Sequence, residues 1–142
     1  MEDKFNLSRF IEGQLNTYDN ALRELQRGRK TSHWMWYIFP QLRGLGRSYY
    51  SNFYGLSGKD EAISYLEHPI LSERLKNVCD AILGLDTSDA RSVFGGIDSH
   101  KLRSSMTLFD IVAPYDLFAA VLDKFFDGHR DRRTIELIKN ID

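Results

Sequence analysis

Apolar residues recur along most of the chain three or four positions apart, which is the spacing of an amphipathic helix. Segment 18–25 is one example, with apolar side chains at 18, 21, 22 and 25. Thr17 is a suitable N-cap for this helix, and Gly28 stands where a helix would end. The strict apolar–polar alternation of a half-buried strand is almost absent. The pattern therefore predicts a mainly α-helical protein.

Caps and helix breakers divide the rest of the chain into further helices. Pro69 begins one directly after a helix predicted over 59–67, and Asp131 caps the last one. Four glycines make 43–58 the longest irregular stretch, and its aromatic residues predict that it packs back onto the core. We predict one all-α domain over residues 1–142, a compact single-domain bundle of about seven or eight short helices. Segment 99–112 or 116–126 would be the central helix, surrounded by the others.

Composition narrows the classes of protein and partner. The 142 residues are 42% hydrophobic, 13% aromatic and 27% charged, as in a globular protein. A net charge of -1 gives no global attraction to nucleic acid or anionic membranes, so neither is an expected partner. No apolar run approaches the ~20 residues that span a bilayer, and residues 1–7 carry three charges, unlike a signal peptide. Together with the single cysteine, Cys79, these features predict a cytoplasmic location.

The densest group of chemically useful side chains lies in segment 28–41. It contains two tryptophans beside Lys30, Ser32 and His33. If Ser32 caps a short helix over 33–39, the free N–H groups there, together with Lys30, can hold a phosphate or carboxylate. An indole such as that of Trp36 can then stack on a base. The alternative is that the rings form core and that His33 is a neutral structural histidine, not a general base.

A second candidate segment lies in 98–107. Lys101 would share a helix face with Ser104 and Ser105, at i+3 and i+4. A lysine in this position can activate a serine nucleophile, or all three groups can bind an anion. The alternative is an ordinary polar helix face with an Asp98–Lys101 ion pair.

The sequence contains no pattern typical of a metal or cofactor site. The four histidines have no short mutual spacing, and there is one cysteine. There is also no Walker-type phosphate loop and no dinucleotide fingerprint. We therefore predict no metal site and no cofactor.

Two runs resemble the signature of a bacterial domain-of-unknown-function family, number eighteen-ten. They are GRKTSHWMWYIFPQL at 28–42 and GLGRS at 44–48, with further matches in 61–69, 94–109 and 128–134. The resemblance implies a compact bundle with one helix surrounded by others, and it implies no substrate. Some members of the family are labelled calpastatin, but nothing in this chain resembles a disordered protease inhibitor. Thr31 stands where a basic residue is common in the family, which would weaken a purely electrostatic anion site.

The leading hypothesis joins the two segments in one cleft that accepts a small anionic or nucleotide-like ligand. The predicted ligand-binding residues are Lys30, Ser32, His33, Trp36, Gln41, Lys101, Ser104 and Ser105. The candidate catalytic residues are His33, Lys101 and Ser104, and the sequence leaves open whether the protein is an enzyme or a binder. One alternative is a protein–protein interaction module, including a homo-oligomer, that uses the aromatic residues of 49–54. The other is an aromatic core with no small-molecule site.

Overall fold

The computed structural model describes residues 3–141, and in that range the chain forms ten α-helices. Their bounds are α1 Ser8–Gln14, α2 Tyr18–Gln26, α3 Met35–Ile38, α4 Tyr49–Phe53, α5 Lys59–Glu67, α6 Pro69–Leu83, α7 Ala90–Phe94, α8 Gly96–Val112, α9 Leu117–Phe126 and α10 Arg132–Lys139. The predicted all-α class is confirmed, but a count of seven or eight was too low. Helices α3, α4 and α7 have only four or five residues, so they are too short to show a helical period in the sequence.

Helix α8 is the central element. Leu102, Met106 and Phe109 along it are fully buried, and it packs against α5, α7, α9 and α10. The helix begins at Gly96, two or three residues before the predicted start. The preceding residue, Gly95, has a φ of 84°, a left-handed conformation that favours glycine. None of the helices between residues 3 and 141 is long and apolar enough to cross a bilayer.

The two ends of residues 43–55, which we call the aromatic loop, lie close together in the structure. The N–H of Arg43 donates to the Leu56 carbonyl at 2.8 Å, and the N–H of Leu56 donates to the Gln41 carbonyl at 2.9 Å. The buried Arg9 side chain donates to the carbonyls of Phe53 and Gly55 at 2.7 and 3.1 Å. These contacts fix the base of the loop against α1.

The aromatic rings of this loop were predicted to pack onto the core, and this holds only in part. Tyr54 is half-buried, and its ring centroid lies 5.7 Å from that of Phe10. By contrast, Tyr49, Tyr50 and Phe53 on α4 are 72%, 51% and 38% exposed. The short α4 turns one face to the core and leaves these three rings at the surface, so for them the prediction was wrong.

Candidate functional site

The chain just before α3 is organised by one buried carboxylate, that of Glu24 on α2. Glu24 Oε1 accepts hydrogen bonds from the backbone N–H of Thr31 at 2.7 Å and of Ser32 at 3.0 Å, and from Trp34 Nε1 at 3.0 Å. Its Oε2 accepts from Ser32 Oγ at 2.6 Å and from Asn20 Nδ2 at 2.8 Å. We call these five residues the Glu24 cluster. The carboxylate therefore accepts from four donors in 31–34.

The Glu24 cluster keeps the carboxylate ionised. Burial on its own raises the pKa of the Glu24 carboxyl, but the hydrogen bonds from Ser32, Thr31 and Trp34 outweigh it and lower the pKa to about 2. Two of the donors are the N–H groups of 31 and 32, close to those that the sequence analysis assigned to an anionic ligand. Helix α3 begins at Met35 with Trp34 in the cap position, so the prediction that Ser32 caps it was wrong. The Ser32 hydroxyl is bound to Glu24 instead.

Lys30 connects this segment to the start of α8. Its Nζ lies 2.8 Å from Asp98 Oδ2, and its side chain is only 7% exposed. The ammonium also donates to the Ser32 carbonyl and lies 4.9 Å from the centre of the Trp34 ring. The ammonium of Lys30 is thus held by an ion pair, a hydrogen bond and an aromatic ring of the protein itself, so Lys30 has a structural role.

Lys101 lies near the same aspartate, and its side chain is 23% exposed. Its Nζ is 3.8 Å from Asp98 Oδ1, longer than a hydrogen bond, and 5.3 Å from the centre of the Trp36 ring. Its ammonium donates no hydrogen bond to any group within residues 3–141. Side chains on a helix lean toward its N-terminus, which is why Lys101 extends toward Asp98 and the start of α8.

These groups border an open cleft between α3 and the first turn of α8, with a volume of about 410 Å³. We call it the α3–α8 cleft; it is lined in part by Lys30, His33, Trp36, Asp98 and Lys101. Helix α8 has no side-chain cap, and the first N–H groups of any helix lack intrahelical partners. Two ammonium groups and the positive end of a 17-residue helix face a single carboxylate here. The cleft is therefore positively charged overall.

A second, much smaller space lies beside the cleft and shares Trp36 and Lys101 with it. Its volume is about 10 Å³, and its other lining residues include Gln41, Tyr50 and Ser51. We call it the Trp36 chamber. The indole Nε1 of Trp36 is buried and has no hydrogen-bond partner among the residues the structure describes.

The structure brings five of the eight predicted ligand-binding residues to these two spaces. They are Lys30, His33, Trp36, Gln41 and Lys101. The three serines lie elsewhere: Ser32 is bound to Glu24, and Ser105 is fully buried without a partner in the described part of the chain. Ser104 donates to Asp131 Oδ2 at 3.2 Å and to the His100 carbonyl at 3.1 Å, so its hydroxyl points away from Lys101.

Sequence reasoning missed Glu24, although the sequence does carry a signal for it. Glu24 occupies the same helical stripe as Ala21 and Leu25, both of which are buried. A carboxylate on an apolar stripe requires internal hydrogen-bond donors. No such signal marks Tyr50 and Ser51, which reach the chamber through the conformation of the aromatic loop. Between residues 3 and 141 there is also no group of three His, Cys, Asp or Glu side chains that could hold a metal ion.

Comparison with known proteins places the chain in a family. The family described as "Protein of unknown function (DUF1810)" matches residues 4–138. The chain belongs to this family. The resemblance stated from the two sequence runs at 28–48 is thereby confirmed.

A solved structure of high similarity is that of the conserved hypothetical protein Rv1873 from Mycobacterium tuberculosis, determined by crystallography. It is 41% identical and has a TM-score of 0.94 over 96% of this chain and 99% of that chain. No curated protein matches the chain. The comparisons thus establish the family and its fold.

Proposed function

We propose that this protein binds a small anionic, nucleotide-like ligand in the α3–α8 cleft. The observation that carries the proposal is the unused ammonium of Lys101 beside the uncapped start of α8. A cation and a set of free backbone N–H groups that face the same space are the usual elements of a phosphate or carboxylate site.

The two lysines have different roles in this proposal. Lys30 stays paired with Asp98 at 2.8 Å and neutralises it, while Lys101 is farther from the carboxylate, at 3.8 Å. An anion at the start of α8 can therefore attract Lys101 without leaving Asp98 unpaired. Trp36 forms the aromatic wall of the site, and His33 stands at its solvent-exposed rim.

Turnover of the ligand would use His33 or Lys101 as the proton carrier. Ser32 and Ser104 have no part in the proposal, because their hydroxyls are bound to Glu24 and Asp131. Ser105 has none either, because it does not line the cleft. We propose binding of the ligand; its turnover would be a second step at the same residues.

The test is thermal unfolding of the protein with inorganic phosphate and a panel of nucleotides, in the wild type and in Lys101→Ala. A ligand at a hundred times its Kd adds about 2.7 kcal/mol to the free energy of unfolding. This corresponds to a rise in Tm of roughly 8 °C for a protein of this size. We expect the rise in the wild type and its loss in Lys101→Ala.

Lys76→Ala is the matched control, because Lys76 is another exposed helical lysine, on α6. It should keep the full rise in Tm. Equal shifts in the wild type and Lys101→Ala, or no shift with any probe, would contradict the proposal.

The exposed tip of the aromatic loop supports a second candidate function, self-association. The rings of Tyr49 and Phe53 stack with centroids 5.9 Å apart and planes 8° from parallel, and Tyr50 lies beside them. Contiguous exposed aromatic rings favour protein interfaces. Light scattering tests this directly: a mass above 16.5 kDa that returns to 16.5 kDa in Tyr49→Ser would support it. A monomer at every concentration would contradict it.

A further inference from the structure

One residue that lines the Trp36 chamber has a buried hydrogen-bond donor without an acceptor in the described part of the chain. Trp36 Nε1 is a donor only, and it has no partner among the described residues. Lys101 brings an ammonium to the same walls. The Ser51 hydroxyl accepts from Ser48 Oγ at 2.9 Å, and within residues 3–141 it donates to no other group. Since an unsatisfied buried donor destabilises the structure, the indole N–H of Trp36 favours an acceptor atom beside it.

The size of the chamber restricts what that acceptor can be. A volume of about 10 Å³ is close to that of one probe sphere, the minimum that holds a water molecule. It accommodates a single oxygen atom and excludes a tetrahedral phosphate. A phosphate must therefore remain in the α3–α8 cleft, on the other side of Trp36 and Lys101.

We propose that the ligand carries a carbonyl oxygen on its planar ring and that this oxygen enters the chamber to accept a hydrogen bond from Trp36 Nε1. This inference rests on the proposed function, since it places the phosphate of the same ligand at the start of α8. It names a ligand class: nucleotides whose base has an exocyclic carbonyl in place of an amino group. An exocyclic amino group is a donor and cannot accept a hydrogen bond from Trp36 Nε1.

The positions around Trp36 indicate that the ligand meets the edge of the indole. The ammonium of Lys101 lies 5.3 Å from the centre of the ring, and the Tyr50 ring centroid lies 5.1 Å from the indole. Both groups lie close to the indole ring. The N–H edge is therefore the part of Trp36 that would contact the ligand.

Tyr50 is the most exposed of the residues that line the chamber, at 51%. Nε1 of Trp36 is covered in the present conformation. The Tyr50 ring contacts Tyr49 at the surface, and it also packs against Trp36 and Tyr54, with centroids 5.1 and 6.3 Å apart. Entry of the ligand oxygen would therefore move Tyr50 away from these two rings.

Titration calorimetry with inorganic phosphate, inosine monophosphate and adenosine monophosphate tests the inference. The two nucleotides differ at position 6 of the base, where inosine has a carbonyl and adenosine an amino group, and at the adjacent N1, which is a donor in inosine and an acceptor in adenosine. We expect the wild type to bind inosine monophosphate about tenfold more tightly, the effect of roughly one hydrogen bond. Trp36→Phe keeps an aromatic ring but removes the N–H, so the preference should fall to about one.

Nuclear magnetic resonance provides a second measurement that needs no variant. The two tryptophans give two indole N–H signals, and that of Trp34 is the internal control because its N–H is bound to Glu24. Inosine monophosphate should move the Trp36 signal and leave the Trp34 signal in place, while adenosine monophosphate should move neither strongly. If Trp36→Phe fails to fold, this spectrum decides the question.

The outcomes separate the two proposals. If phosphate binds but the wild type does not distinguish the nucleotides, the chamber inference is overturned and the proposed function stands. The same conclusion follows if Trp36→Phe keeps the preference or the Trp36 signal does not move. If none of the three probes binds, both are overturned.

Discussion

Trp34 and Trp36 are two residues apart and are used in opposite ways. Trp34 is buried, and its indole N–H donates to the Glu24 carboxylate at 3.0 Å. Trp36 lines a cleft, and its indole N–H has no partner among the described residues. Lys30 and Lys101 differ in the same way. Lys30 Nζ lies 2.8 Å from the Asp98 carboxylate, whereas Lys101 Nζ lies 3.8 Å from it.

This difference shows how a fold divides similar side chains between structure and binding. In the Glu24 cluster every donor has an acceptor, and the geometry of 30–34 follows from that pairing. At the Trp36 chamber the indole N–H has no acceptor within residues 3–141, so an acceptor from outside has something to contribute. Composition alone could not separate the two regions, because both contain a tryptophan and a serine.

The largest loss of stability should come from Glu24→Gln, which disrupts the Glu24 cluster. The amide keeps one acceptor oxygen, but its NH₂ group meets donors where Oε2 now accepts from Ser32 and Asn20. We expect a loss of about 3 kcal/mol in the free energy of unfolding, measured by urea denaturation. Glu67→Gln, an exposed residue on α5, is the control and should change stability by less than about 0.5 kcal/mol. A Glu24→Gln protein as stable as the control would show that the Glu24 cluster does not organise the segment.

An intermediate effect should distinguish the two tryptophans. Trp34→Phe leaves the Glu24 carboxylate without one donor and creates a cavity, so we expect a loss of about 2 kcal/mol. Trp36→Phe removes an unpaired donor, and its cost should be under about 1 kcal/mol. Thermal unfolding of the two variants side by side measures the difference. Equal losses would remove the distinction drawn here between them.

The smallest effect on stability should appear when the pH is lowered. The pKa of Glu24 is about 2 in the folded protein, below its ordinary value of 4.5. Its contribution to stability is therefore complete above pH 4.5 and is lost as the pH falls toward 2. Between pH 4.5 and 3 the wild type should lose up to about 1 kcal/mol per pH unit more than Glu24→Gln. Parallel pH profiles for the two proteins, from chemical denaturation, would count against the lowered pKa.

Features set by neighbouring residues were predicted well from the sequence. Gly28 adopts a φ of 81° after α2, Pro69 begins α6, and Asp131 Oδ2 accepts from the N–H of Thr134 at 3.1 Å to cap α10. Each depends on conformational preferences within a few residues, which a single sequence displays directly. The single-domain organisation and the cytoplasmic location stay predictions.

Features set by distant partners could not be predicted in this way. Ser32 is a good local cap, yet its hydroxyl goes to a carboxylate eight residues earlier, and Ser104 finds Asp131 across 27 residues. Lys101 shares a helix face with Ser104 by spacing, but its side chain leans toward the N-terminus of α8. Spacing gives the face of a helix, and packing decides which groups on that face meet.

The contact between Arg9 and the aromatic loop makes the two parts of the site separable. Arg9 pairs with Glu61 at 2.8 Å and holds the loop carbonyls of Phe53 and Gly55. The loop supplies Tyr50 and Ser51 to the chamber, whereas no residue of the loop lines the α3–α8 cleft. Removal of Arg9 would loosen one wall of the chamber and leave the start of α8 in place. Under the two proposals, selectivity for the base would then depend on the N-terminal helix, and affinity for the phosphate on α8.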